Sequence, residues 1–147
     1  MAKNVRILHC RPEDVFDVLA DGWLFTTWVV GASRMRGQDP GWPAVGTRLH
    51  HSFGVWPLVI DDVTTVLAWE PSRRMVIQPK GWPIGEARVE LTVEEHRRGC
   101  KVTIVENPVE GPGTWVPSFL MQPLLWVRNV ETLRRLGWVA AGRAATN

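Results

Sequence analysis

The chain has 147 residues, 45% of them hydrophobic and 22% charged, with a net charge of +2. That is enough chain for one domain, residues 1–147, with its own core, and too little charge to predict a nucleic-acid partner. Two cysteines, Cys10 and Cys100, make no disulfide framework and have no metal-ligand spacing, and with no phosphate-cradling Gly loop, nucleophile elbow or metal-ligand cluster in the sequence, neither a metal nor a cofactor is expected. No basic-then-apolar leader precedes Val5 and no apolar run reaches membrane length, which predicts a cytoplasmic protein.

Residues 4–10 alternate as a first strand. Arg11-Pro12-Glu13-Asp14 then opens a helix that runs to Ala20, with proline early and acids in the first turn. Asp21-Gly22 breaks it, and Trp23–Val30 forms a second short helical stretch. Ala32–Gly37 reads as a short strand, and Gln38–Gly46 as a Gly- and Pro-rich loop. Thr47–Phe53 alternates again, with Leu49, His51 and Phe53 on one face and His50 on the other. A turn at Gly54-Val55-Trp56-Pro57 leads to a long strand over 58–70, where parity groups Val63, Thr65, Leu67 and Trp69.

Glu70-Pro71-Ser72-Arg73 makes a tight turn, Arg74–Gln78 pairs back, and Pro79–Gly85 is a loop. Glu86–Glu95 alternates most clearly, with Ala87, Val89, Leu91 and Val93 facing inward. His96–Gly99 turns the hairpin, and Cys100–Glu106 returns with Val102, Ile104 and Glu106 on the inner parity. After a connection over Asn107–Gly113, residues 116–143 form an amphipathic helix of several turns. Phe119, Leu125, Trp126, Val130, Leu133, Leu136, Gly137 and Ala140 share its apolar face, with Gln122 and Asn129 among them. Arg128, Glu131, Arg134 and Arg135 lie opposite. Pro123 predicts a kink or a delayed helix start. The beginning of the helix is apolar on more than one side, through Leu120, Leu124 and Val127, so it needs something to cover both sides.

Consecutive hairpins imply an antiparallel sheet. The order therefore predicts an α+β fold: a curved sheet of about six to seven strands around one long C-terminal helix, with two short helices after strand 1. One helix does not fill a broad concave face, so a cavity between helix and sheet is expected.

Several local pieces carry a family resemblance. These are Pro12-Glu13-Asp14-Val15-Phe16-Asp17-Val18-Leu19-Ala20-Asp21, the Gly46-Thr47 entry to a strand, Glu70-Pro71 followed by Arg73-Arg74, and Glu106 closing the last strand. In this order they resemble the START-like (SRPBCC) superfamily, often labelled polyketide cyclase/dehydrase and lipid transport, over nearly the whole chain. The resemblance implies a helix-grip fold with a hydrophobic cavity. Members bind lipids, sterols, polyketides or hormones, and some catalyse aromatic ring closure. The chain departs from any tyrosine-based chemistry, because it has no tyrosine.

On this reading the cavity is lined by Leu49 and Phe53, by Leu67 and Trp69, and by Val89, Leu91 and Ile104 of two further strands. The helix adds Gln122, Trp126 and Asn129, whose amides would orient a small hydrophobic ligand, the expected partner. His51 and Glu106 are the catalytic candidates: an imidazole and a buried carboxylate suit proton transfer at an acidic carbon. A packed histidine and a strand-end cap are the bland alternatives. Nine tryptophans supply flat apolar surface. Gly41-Trp42-Pro43, Gly81-Trp82-Pro83, Trp56 and Trp115 would either form a mouth or anchor loops. Three readings follow: a ligand-binding protein, a cofactor-free polyketide cyclase/dehydratase, and an interaction module or homodimer built on Leu120, Leu124 and Val127.

Overall fold

The computed structural model describes residues 2–81 and 85–146. Trp82 and Pro83 of the second tryptophan triplet lie outside the described residues. Seven strands form one fully antiparallel sheet in the order β1-β7-β6-β5-β4-β3-β2. They are β1 (Ala2–Leu8), β2 (Ala32–Gln38), β3 (Arg48–Val55), β4 (Leu58–Glu70), β5 (Arg74–Pro79), β6 (Glu86–His96) and β7 (Gly99–Glu110). The helices are α1 (Pro12–Ala20), α2 (Phe25–Trp28) and the long α3 (Ser118–Thr146). The expected α+β helix-grip architecture is present.

Local chemistry accounts for the elements that seat α3. Pro12 occupies the first turn of α1, and the Asp14 carboxylate accepts from the Arg11 backbone N–H at 2.9 Å and from the Arg11 guanidinium at 3.2 Å, a first-turn acid that fixes the helix start. Trp42 is buried and its indole N–H donates to the Leu19 carbonyl at 3.2 Å. It is therefore a loop anchor under the end of α1, at the opposite end of the sheet from the β3–β4 turn. Trp56 and Trp115, by contrast, are exposed.

The core lies between the concave face and the C-terminal half of α3, where Leu133, Leu136 and Ala140 meet Leu8, Val15, Leu91 and Val102. Gly137 lets the helix approach β1: a Cβ there would come within 2.8 Å of the Leu8 side chain. The Val30 N–H donates to the buried Thr132 hydroxyl, and Arg143 pairs with Asp21 at 3.2 Å, tying both flanks of the helix down.

Four expectations are corrected. The inner face of β4 is Asp62, Thr64 and Val66, not the odd-numbered set, so Leu67 points outward; a bulge between Val66 and Ala68 then returns Trp69 to the core side, against Phe16. β7 does not end at Glu106 but runs to Glu110. The helix begins before Pro123, which sits inside it and deprives the Phe119 carbonyl of a backbone donor. Along α3 the inward stripe is Gln122, Leu125, Asn129, Leu133 and Leu136, whereas Phe119, Trp126 and Val130 are exposed. Leu120, Leu124 and Val127 are exposed as well.

Leu136→Ala should lose about 2–5 kcal/mol of unfolding free energy by removing side-chain volume that the core cannot refill. Leu67→Ala should lose under about 1 kcal/mol, because it points outward. Denaturant unfolding of the two variants checks the placement, and equal losses would refute it.

Candidate functional site

All strand ends that face the start of α3 lie at one end of the fold: the beginning of β1, the end of β7, the β3–β4 turn and the β5–β6 connection. At this end the inner surface changes from apolar to polar. Asn4, His51, Asp62, Thr64, Glu106 and Asn129 are all buried. Polar groups removed from water need partners, so the hydrogen bonds of each one define what the region can do.

Glu106 is 2% exposed on β7, opposite Ala2 of β1 and Val89 of β6. Its Oε2 lies 3.4 Å from the Arg128 guanidinium. Burial pushes its carboxyl above the usual carboxylate range, with Arg128 opposing the shift. Asn4 sits diagonally across the β1–β7 pair, opposite Ile104, and its Nδ2 donates to the Trp126 carbonyl at 3.1 Å. That bond locks α3 onto β1 beside the ion pair. Gln122 and Asn129 are seven positions apart, two turns on one helix face.

Among the described residues, six buried side-chain atoms have no hydrogen-bond partner: Asn4 Oδ1, His51 Nδ1, Glu106 Oε1, Gln122 Oε1, Arg128 Nε and Asn129 Nδ2. Five of the six belong to the cluster formed by β1, β7 and the first half of α3. Arg128 and Asn4 were not singled out from the sequence. Arg128 falls on the charged side of the helical wheel, and only its half-buried stem and its reach to Glu106 bring it in. The available signal was the buried acid itself, which calls for a nearby cation.

His51 is fully buried on β3. Its Nε2 shares a 2.7 Å hydrogen bond with the Thr64 hydroxyl, and its ring packs between Phe25 and Phe53 at centroid distances of 4.8 and 4.9 Å. Desolvation lowers its pKa to about 4, against an opposing pull from Asp62. The ring is thus neutral at pH 7 and a weak base there. The fold does not join His51 to Glu106 by a hydrogen bond: β6, β5 and β4 separate their strands, and each is bonded elsewhere. His50 points to the other face and binds Asp39 at 2.9 Å. His96 accepts from the Arg98 backbone, and His9 is an exposed residue beyond β1.

Of the expected lining residues, Leu49, Val89, Leu91 and Ile104 are buried on the inner face, and Phe53 and Trp69 pack against the core from partly buried positions. Leu67 and Trp126 are exposed. A shallow groove lined by Arg11, Glu13, Glu95, His96 and Arg97 lies at the far end of the sheet. It is open and separate from the buried polar cluster. Among the described residues there is no group of three or more potential metal ligands, and no helix is long and apolar enough to cross a membrane.

A curved antiparallel sheet gripping one long C-terminal helix is the START-like architecture. The sequence matches the family described as "Polyketide cyclase / dehydrase and lipid transport" over residues 2–125, and the chain belongs to that family. No curated protein matches the sequence. Solved structures share the fold at low identity. SA2116 of Staphylococcus aureus, a protein of unknown function, is 8% identical with a TM-score of 0.75, the alignment covering 98% of this chain and 94% of that one. Ara h 8.0201 is 13% identical with a TM-score of 0.70, covering 95% and 96%. The di-domain ARO/CYC StfQ from the steffimycin biosynthetic pathway is 11% identical with a TM-score of 0.69, covering 97% of this chain and 51% of StfQ.

The lowered His51 pKa carries a sign. The folded state holds the ring neutral down to about pH 4, whereas the unfolded chain protonates it near 6.5. Its contribution to stability is complete above 6.5 and is lost as pH falls towards 4. Across that window His51→Gln should lose less stability than the parent by roughly 3 kcal/mol, measured by urea unfolding at stepped pH. Parallel curves would mean that the ring is solvated.

Proposed function

We propose that the protein binds a small hydrophobic molecule between α3 and the concave face of the sheet. The observation that carries the reading is the cluster of unpartnered buried polar atoms on Asn4, Glu106, Gln122, Arg128 and Asn129. Leaving such atoms without partners costs about 1–3 kcal/mol each, and a ligand that reaches them recovers much of that. Apolar walls from Leu49, Val89, Leu91 and Ile104 would hold the body of the ligand. Burying it contributes about 25 cal/mol per Å² of apolar area before the costs of ordering. The exposed Trp56 and Trp115 stand at the same end and suit an apolar entrance. Membership in a polyketide cyclase, dehydrase and lipid transport family supports the same reading.

Cofactor-free proton transfer is the second reading, and one observation favours it. Glu106 is a buried carboxyl held above its ordinary range, the condition a general base needs near neutral pH. His51, with its low pKa and its bond to Thr64, serves better as a rigid wall than as the proton carrier.

Native mass spectrometry of freshly purified protein, compared with the denatured mass, is the direct test. Extra mass that leaves on denaturation supports binding and sizes the occupant. If the protein is bare, titration with 2-naphthol should quench its tryptophan fluorescence saturably, and Asn129→Leu should weaken that binding about tenfold. A bare protein with no saturable quenching would refute the binding reading. Consumption of a poly-carbonyl substrate that Glu106→Gln abolishes would favour catalysis instead.

A further inference from the structure

The same cluster specifies the chemistry of the ligand's polar end, an inference that rests on the binding reading above. The five atoms divide by type. Asn4 Oδ1, Glu106 Oε1 and Gln122 Oε1 can only accept, whereas Arg128 Nε and Asn129 Nδ2 can only donate. A carboxylate brings acceptors alone and would leave the three oxygens unserved. An ammonium group brings donors alone and would leave the two nitrogens unserved. A hydroxyl brings one donor and two acceptors, so a single group can give its proton to one of the three oxygens while accepting from both nitrogens. It also serves an amide turned either way, with oxygen or nitrogen towards it.

Charge points in the same direction. Glu106 is already engaged by Arg128 at 3.4 Å, so the pair presents no net charge to a newcomer. The other buried carboxylate of the inner face, Asp62 on β4, accepts from the Gly81 backbone N–H at 3.2 Å. Asp62 lies three strands from Glu106, so an anionic head beside Glu106 would meet one fixed carboxylate and a guanidinium that is already paired. A cationic head would have to share Glu106 with Arg128. In a poorly hydrated site either arrangement is costly.

We infer that the site selects an uncharged hydroxyl head (an alcohol, phenol or enol) on an apolar body, with Glu106 accepting its proton in a hydrogen bond and Arg128 or Asn129 donating to its oxygen. Glu106 and Arg128 act together as a charge filter: each cancels the other, and removing one should expose the preference of the other.

The test uses the full chain at pH 7.5 and two sets of probes with constant bodies: 2-naphthol, 2-naphthoate, 2-naphthylmethylamine and naphthalene, and decanol against decanoate. Dissociation constants are read by tryptophan quenching and calorimetry. The hydroxyl probes should bind at least tenfold more tightly than the matching carboxylate, amine and bare hydrocarbon. Glu106→Gln, shown to be folded by its circular dichroism and melting curve, should reverse the order so that 2-naphthoate gains at least tenfold relative to 2-naphthol. Arg128→Gln should shift the preference towards 2-naphthylmethylamine instead. A general loss of packing would weaken all probes alike and would not move these ratios. If a carboxylate or amine binds the parent protein as well as the hydroxyl, or if the ratios do not change in either variant, the charge filter is refuted while binding stands. If no probe of either body binds, the binding reading fails and takes the filter with it.

Discussion

One long helix must cover the concave face of seven strands, and it cannot cover all of it equally well. The C-terminal half of α3 makes the close contact. Leu133, Leu136 and Ala140 are essentially without solvent exposure, and Gly137 gives up a side chain so that the backbone can come down on Leu8. Apolar burial and dense packing hold that half in place. The N-terminal half has no comparable apolar seat. It meets the sheet through Asn4, Glu106 and Arg128, and turns Phe119, Leu120 and Leu124 outward. The division of the fold into a packed end and a polar end follows from that asymmetry.

The polar end is expensive to maintain by stability alone. A buried ion pair seldom recovers its desolvation cost, and a well-packed apolar pair of similar volume would often be more stable. Glu106 lies 2% exposed beside a guanidinium that can reach only one of its oxygens, a poorer arrangement than a bidentate fork. Around it the walls are rigid. His51 is fixed by Thr64 and two phenylalanine rings, and the helix by the Asn4 bond to the Trp126 carbonyl. Rigid walls keep the unpartnered atoms from collapsing onto one another, and this is the condition under which a ligand can be recognised by them.

Much of the fold was readable because hydrophobic alternation survives wherever one sheet face is buried. Val89, Leu91 and Val93 face inward as their parity requires, as do Leu49, His51 and Glu106. The reading failed where a single residue shifts register. The bulge after Val66 lets Trp69 face the core although Asp62, Thr64 and Val66 set the opposite parity, so a single parity drawn through Trp69 placed Leu67 inside when it is outside. On α3 the helical wheel spread the apolar stripe too widely. Nothing in residue type separates Trp126, which is exposed, from Leu125, which is partly buried; only the way the helix seats on the sheet does. Arg128 was missed for the complementary reason, since a charged residue at the border of a helix face can snorkel its stem inward and reach a buried acid. The candidate site was thus half legible: the inward acid and amides by parity, their cation and their anchor only by packing.

The three solved structures named above share the architecture at 8–13% identity to this chain, so the scaffold tolerates nearly complete replacement of its side chains. A scaffold that permissive cannot specify a ligand through its apolar walls, because aliphatic and aromatic surfaces discriminate weakly among bodies of similar size. Discrimination has to come from a few polar atoms whose partners must be supplied, since an unmet buried donor or acceptor is penalised far more heavily than a misplaced methylene. In this chain those atoms are concentrated on two edge-proximal strands and two turns of one helix. On the binding reading proposed above, the polar end rather than the packed end is where one small molecule would be distinguished from another.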